Sequence, residues 1–242
     1  MPTTFGNNTK SIFLNGPESH KLALQFQAAN YAKLTLSGNL VTSNKINMKV
    51  NGVAMPEVTF ATDHATTVAA IATALEGIAS VKKAIVSSAD NKILYIIPEA
   101  SGTPSVTDAA VTAGAGQATY TIATAGSTIY PGMPVGLIGI DELVAPLDVV
   151  NSMFSNTANY RNIGVSIHEA SPGEMLTAFV RGYTVTYGIA DGAVTPGPAK
   201  YTGYDSTNGY CKYAVTTQVY DPIGWALDNA DNGEVFRVLQ GW

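Results

Sequence analysis

The chain of 242 residues carries 13 Lys and Arg against 18 Asp and Glu, which gives a formal net charge of −5. Its charged fraction of 13% is about half of the ~25% found in ordinary soluble domains, which suits a protein that packs against other subunits. The acidic balance leaves no basic stripe for nucleic acid, and no apolar run reaches the ~18 residues of a membrane span.

Residues 1–38 are predicted to form an N-terminal arm followed by the first strands of a barrel. The arm, residues 1–19, contains Asn-Asn and Gly-Pro pairs that interrupt regular structure. It also contains four apolar residues without a helical period, which either cover the chain's own barrel or dock on a neighbouring subunit: Phe5, Ile12, Phe13 and Leu14. One or two strands are expected between residues 22 and 36.

Residues 39–125 are predicted to form a small α+β domain of order β-β-α-β-β. Ile46, Met48 and Val50 alternate with polar residues before an Asn51-Gly52 hairpin turn. Asp63 is a favourable N-cap for a helix over residues 64–79. Two more strands flank an Asp-Asn turn at residues 90–91, so the pattern indicates one helix packed on a sheet.

Residues 98–128 are rich in Gly, Ala, Thr and Ser and are interpreted as the exit from the small domain, with one short strand at 119–122. A turn and a buried strand are expected over residues 129–137. A helical turn is predicted within residues 141–155, limited by Pro146.

Residues 126–242 are predicted to form a β-barrel or sandwich, because one phrase occurs twice in them at an offset of 60. Tyr160, Ile163-Gly164 and Gly173-Glu174 return as Tyr220, Ile223-Gly224 and Gly233-Glu234. Each copy predicts a strand, a glycine turn and a second strand. Either two unrelated hairpins share these residues, or the segment is duplicated and both hairpins build one barrel or sandwich. Trp242 is expected to be pinned by burial or to form an assembly contact.

Candidate catalytic and metal-binding patterns are weak throughout the chain. His168-Glu169 lacks the second histidine of a zinc-protease helix, and His64 is expected to be a solvated neighbour of the helix cap. Residues 228–234 are rich in side-chain oxygens but lack the spacing of a calcium loop. The lone Cys211 permits no intrachain disulfide and is expected to be buried and inert. We therefore expect neither an enzyme nor a cofactor.

The C-terminal half resembles the capsid decoration, or cement, proteins of tailed bacteriophages. The similar phrases are Tyr-Pro-Gly-Met-Pro-Val-Gly at 130–136, Ile-Gly-Val at 163–165, Ala-Ser-Pro-Gly-Glu at 170–174 and Val-Arg-Gly at 180–182. Residues 39–125 are similar to small domains of other phage virion proteins, marked by Val-Asn-Gly at 50–52 and the helix that follows.

This resemblance implies a non-enzymatic virion protein on the outer surface of the assembled capsid, with the major capsid protein as its partner. It also implies a homotrimer assembled in the bacterial cytoplasm, consistent with an N-terminus that lacks the pattern of a signal peptide. The expected capsid or subunit contacts are Phe5, Ile12, Phe13, Leu14 and Trp242. The alternatives are a tail or neck component, or a module that binds host-surface glycans through its many tyrosines.

Overall fold

The computed structural model describes residues 22–100, 102–114, 118–124, 126–139, 143–154, 162–181, 183–217 and 224–241. These residues are mainly β, as predicted. In chain order the elements are β1 (Leu22–Ala28), β2 (Ala32–Leu36), β3 (Lys45–Val50), β4 (Val53–Ala54), β5 (Val58–Thr59), α1 (His64–Glu76), β6 (Val81–Val86), β7 (Ile93–Pro98), β8 (Val106–Thr112), β9 (Tyr120–Thr124), β10 (Pro134–Leu137), β11 (Leu143–Pro146), α2 (Leu147–Phe154), β12 (Asn162–Ser166), β13 (Met175–Arg181), β14 (Tyr183–Ala190), β15 (Gly197–Asp205), β16 (Tyr210–Val215), β17 (Gly224–Ala226) and β18 (Val235–Gly241).

The chain divides into two compact units. Unit 1 comprises Met1–Ala28, Thr128–Val150 and Ala158–Trp242, and unit 2 comprises Ala29–Ser127 and Asn151–Thr157. Unit 2 therefore interrupts unit 1 between β1 and β10. The sequence analysis grouped β2 with the barrel strands in residues 1–38. The structure instead places β2 in unit 2, because it pairs with β7 and β9.

Unit 1 contains two closed five-stranded barrels. The strand order is β1-β11-β10-β12-β13 in barrel 1 and β14-β16-β15-β17-β18 in barrel 2. Counted along the chain, the first strand of each barrel runs parallel to the third and antiparallel to the fifth. In barrel 1, β1 is parallel to β11 and antiparallel to β13, and in barrel 2, β14 is parallel to β16 and antiparallel to β18. The expected barrel is present, but the two repeated hairpins do not share it. Each hairpin closes its own barrel, because β13 pairs with β1 whereas β18 pairs with β14.

The two barrels also have the same hydrogen-bond register. Gln27 lies opposite Met175 in barrel 1, and Ile189 lies opposite Val235 in barrel 2. The remaining interfaces correspond in the same way: Ala28–Val144 with Ala190–Tyr213, Val135–Pro146 with Ala199–Val215, Pro134–Val165 with Pro198–Trp225, and Val165–Phe179 with Trp225–Leu239. A slip of one residue would turn every side chain to the other face of a strand. The agreement at every interface therefore identifies the barrels as two copies of one design.

Unit 2 combines two sheets with α1. One sheet has the order β6-β7-β2-β9, and in the other β3 pairs with β4, β5 and β8. The two sheets and α1 enclose one apolar core, to which α1 contributes Val68, Ile71 and Leu75. The cap of α1 is the predicted one, since the Asp63 carboxylate accepts the Thr66 N–H at 2.7 Å. The helix ends at Glu76, before the predicted residue 79, with Gly77 as its C-cap.

Two strands differ from the sequence-based expectations. Strand β8 lies in the stretch interpreted as the exit from the small domain, where only the strand at 119–122 was expected, and it pairs with the distant β3. Strand β11 precedes α2 and was not predicted. The helical turn predicted within residues 141–155 is confirmed as α2, and Pro146 limits it by directly preceding its first residue.

Candidate functional surface

The repeated Gly-Glu phrase forms the same turn in both barrels. Gly173 and Gly233 have φ angles of +90° and +86°, which glycine adopts without steric cost. The Glu174 carboxylate accepts the Ser171 N–H at 2.8 Å, and the Glu234 carboxylate accepts the Asp231 N–H at 2.9 Å. Both glutamates therefore hold a turn, and this structural role explains why the phrase recurs.

Each turn fastens the first strand of its own barrel. The Gly173 N–H donates to the Ala28 carbonyl at 2.8 Å, and the Ala28 N–H donates to the Glu174 carbonyl at 2.8 Å. In barrel 2 the Gly233 N–H donates to the Ala190 carbonyl, and the Ala190 N–H donates to the Glu234 carbonyl, both at 2.8 Å. The chain thereby fixes the start of the fifth strand identically in the two copies.

The residue after each turn is apolar and exposed. Met175 is 55% exposed at the start of β13, and Val235 is 47% exposed at the start of β18. They occupy the same register position, so each barrel exposes an apolar residue at one equivalent place. Sequence reasoning missed this pair, although both residues directly follow the repeated Gly-Glu.

Barrel 2 also exposes a tryptophan on its outer wall. Trp225 is 51% exposed and lies beside Pro198 on β15 and Leu239 on β18. At the equivalent position of barrel 1, Val165 is fully buried. Large exposed apolar side chains are candidates for binding surfaces, and this one distinguishes barrel 2 from barrel 1.

The histidines serve backbone contacts in the described residues. His64 is buried, contrary to the expectation of a solvated side chain, because its Nδ1 accepts the Leu40 N–H at 3.0 Å. His168 Nε2 accepts the Thr177 N–H at 3.0 Å. No group of three or more His, Cys, Asp or Glu side chains that would hold a metal occurs in the part of the chain that the structure describes.

The carboxylate of Asp228, within the oxygen-rich stretch, binds Arg237. Arg237 donates from Nε to Asp228 Oδ2 at 2.9 Å and from Nη2 to Oδ1 at 2.6 Å, and its backbone N–H donates to Oδ2 at 3.0 Å. These hydrogen bonds lower the pKa of Asp228 to about 2. Cys211 is buried, and burial raises the pKa of its thiol, which disfavours the thiolate form.

Five tyrosines of barrel 2 have described side chains, and none of these five is fully exposed. Tyr201 and Tyr213 are buried, and Tyr204 stacks on Tyr130 with ring centroids 4.3 Å apart. Tyr187 and Tyr210 are half-buried. These five described rings follow the sheet-packing interpretation, and they do not form the exposed aromatic row that sugar stacking requires.

The five residues predicted from sequence as contacts, Phe5, Ile12, Phe13, Leu14 and Trp242, lie outside the described residues, as does the first tyrosine of each repeated phrase. Among the described helices, none combines the length and apolar character needed to cross a membrane. No protein-family model matches the sequence, and a search of curated proteins gave no match.

Proposed function

We propose that this protein is a non-enzymatic structural component of a tailed-phage virion that binds and stabilises the outer surface of the assembled capsid. The observation that carries the proposal is the pair of barrels with one register, each of which exposes an apolar residue at the same position (Met175 and Val235). A capsid is a lattice of repeated subunits, and a chain with two copies of one contact point suits such a lattice. The resemblance of the C-terminal half to decoration proteins supports the same conclusion.

Stabilisation follows from mass action. A protein that binds the closed shell but not its dissociated subunits stabilises the shell by its free energy of binding. Two linked contact points raise the apparent affinity beyond that of either, because the second contact forms within an already bound complex. Further capsid contacts come from the terminal Trp242 and from the apolar residues of the N-terminal arm, Phe5, Ile12, Phe13 and Leu14. A homotrimer increases the number of contacts again.

The direct test is co-sedimentation with undecorated heads assembled from the major capsid protein of the same virus. Wild-type protein should pellet with the heads. Met175→Asp and Val235→Asp should each weaken binding by about tenfold or more, the effect of losing one buried interface residue, and the double variant should lose more than either.

Val53→Asp is the matched control for these variants. Val53 is 52% exposed in the β3–β4 hairpin of unit 2, so it resembles Met175 and Val235 in exposure but lies outside the barrels. Binding of this variant should equal that of the wild type. If the wild type fails to pellet with heads, the decoration function is wrong. If both barrel variants bind normally, the barrel contact points are wrong.

The arm is tested by deleting residues 1–19. The shortened chain should fold but no longer bind heads, and unchanged binding would remove the arm from the account.

The mass of the free protein, measured by light scattering after size-exclusion chromatography, distinguishes a decoration protein from a tail component. A trimer supports decoration, whereas a hexameric ring or a series of growing tubes would indicate a tail component.

A further inference from the structure

The two barrels use chemically different acceptors for one equivalent backbone N–H. In barrel 1 the Thr177 N–H donates to His168 Nε2 at 3.0 Å. In barrel 2 the Arg237 N–H donates to Asp228 Oδ2 at 3.0 Å. Both bonds tie the fifth strand to the turn that precedes it. His168 and Asp228 are 60 residues apart, and so are Thr177 and Arg237.

The contacts of His168 fix its protonation state. The Thr177 N–H can only donate, so Nε2 must carry a lone pair. Nδ1 lies 3.0 Å from the Glu169 carbonyl oxygen, which can only accept, so Nδ1 carries the hydrogen. The neutral ring satisfies both contacts, whereas a protonated ring has hydrogens on both nitrogens and cannot accept the Thr177 N–H.

We propose that the His168–Thr177 hydrogen bond is an acid-sensitive switch that loosens the β12–β13 turn of barrel 1 while the equivalent turn of barrel 2 stays closed. Histidine is the side chain that gains a charge under mild acid, and a proton on Nε2 removes this acceptor. The bond forms with the neutral ring and is lost with the protonated one. Asp228 keeps its acceptor oxygen in mild acid, because Arg237 lowers its pKa to about 2.

Apart from the Thr177 N–H, the group nearest Nε2 is the Thr177 hydroxyl, whose Oγ1 lies 3.3 Å away and can accept a hydrogen bond from the protonated ring. The carboxylates of the same turn are Glu169 and Glu174, and the Glu174 carboxylate accepts the Ser171 N–H. On β1 the uncharged Gln25 lies opposite Thr177, and from barrel 2 Tyr204 lies within electrostatic reach of Glu169. Since Met175 lies two residues before Thr177, acid would alter the contact point of barrel 1 and spare that of barrel 2.

The test is backbone amide hydrogen exchange by NMR on the full chain at pH 7.5 and pH 5.0, with each rate converted to a protection factor. The Thr177 amide should lose protection by about tenfold relative to the Arg237 amide at the lower pH, the order expected for one lost hydrogen bond. An unchanged ratio of the two protection factors would overturn the proposal, and so would an equal loss at both amides.

Exchanging the two acceptors provides matched controls. His168→Asp places in barrel 1 the residue that barrel 2 uses, and the Thr177 amide should then keep its protection at pH 5.0. Asp228→His should transfer the loss to the Arg237 amide. If Thr177 still loses protection in His168→Asp, another group causes the change. The Asp228→His variant tests the same claim independently should the first variant fold poorly.

Discussion

The two barrels have one backbone design but place one large core side chain on different strands. In barrel 1 the aromatic side chain comes from the first strand, as Phe26, and the third strand supplies Val144. At the equivalent positions barrel 2 has Gly188 and Tyr213. A Cβ on Gly188 would lie 2.5 Å from Cδ2 of Tyr213, so the tyrosine ring occupies the space beside the glycine. The comparison teaches that register is conserved in this chain while core volume is redistributed between strands.

The largest expected effect on stability comes from changing Gly188 or Tyr213, the pair of barrel 2 that replaces Phe26 and Val144 of barrel 1. Gly188→Ala should destabilise barrel 2 by about 1–3 kcal/mol, because the new Cβ meets the Tyr213 ring. Tyr213→Val alone should cost about 2–5 kcal/mol through the cavity that it leaves. The double variant Gly188→Phe with Tyr213→Val installs the barrel 1 pair and should cost less than the two single changes together.

These stabilities are measurable by urea unfolding followed by the fluorescence of Trp225, in a Trp242→Phe background so that one tryptophan reports on barrel 2. A double-mutant cycle that includes Gly188→Phe alone gives the coupling between the two positions. Costs that add within about 0.5 kcal/mol would contradict a coupled exchange of volume between the two strands.

The same exchange explains why the sequence reveals only part of the duplication. The hairpin turns are predictable because their chemistry is local: Gly173 and Gly233 supply positive φ, and Glu174 and Glu234 close the turns. The other three strands of each copy share no such phrase, since Phe26 corresponds to a glycine and Val144 to a tyrosine. Compensating substitutions preserve the packing and remove the visible repeat.

Non-local pairing accounts for the remaining differences. Strand β1 pairs with β13, about 150 residues further along the chain, and β8 pairs with β3 although its own sequence indicates a loop. Elements fixed by their neighbours in sequence were predictable, such as the Asp63 cap of α1. The exposed Met175 and Val235 were not, because exposure depends on which barrel face stays uncovered.

A smaller effect should follow from changing the polar part of the barrel 2 core. Gln240 Nε2 donates to Thr186 Oγ1 at 2.9 Å and to the Tyr213 hydroxyl at 2.5 Å, and all three residues are buried. At the register position of Thr186, barrel 1 has Leu24, which is 45% exposed, so this buried polar group has no counterpart there. Gln240→Val should destabilise barrel 2 by about 1–3 kcal/mol, because two buried hydroxyls lose their partner.

Adding Thr186→Leu and Tyr213→Phe to Gln240→Val removes both hydroxyls and should recover part of that loss, as judged by the same urea transition. If the triple variant is less stable than Gln240→Val alone, the two unpartnered hydroxyls do not cause the loss of stability.

The smallest effect should be equal in the two barrels. Gly173→Ala and Gly233→Ala force a Cβ into the left-handed region and should each cost about 1–2 kcal/mol. No heavy atom lies within 4 Å of a Cβ built on Gly233, so its cost is conformational and not steric. Calorimetric melting of both variants checks this, and a difference between them greater than about 0.5 kcal/mol would show that the two turns are not equivalent.

The most direct test of the whole account is electron cryo-microscopy of undecorated heads after incubation with the purified chain. The account predicts two barrel densities per chain on the outer surface of the shell, with the turns that precede Met175 and Val235 against the capsid subunits. Bare heads, or barrels whose turns face away from the shell, would contradict it.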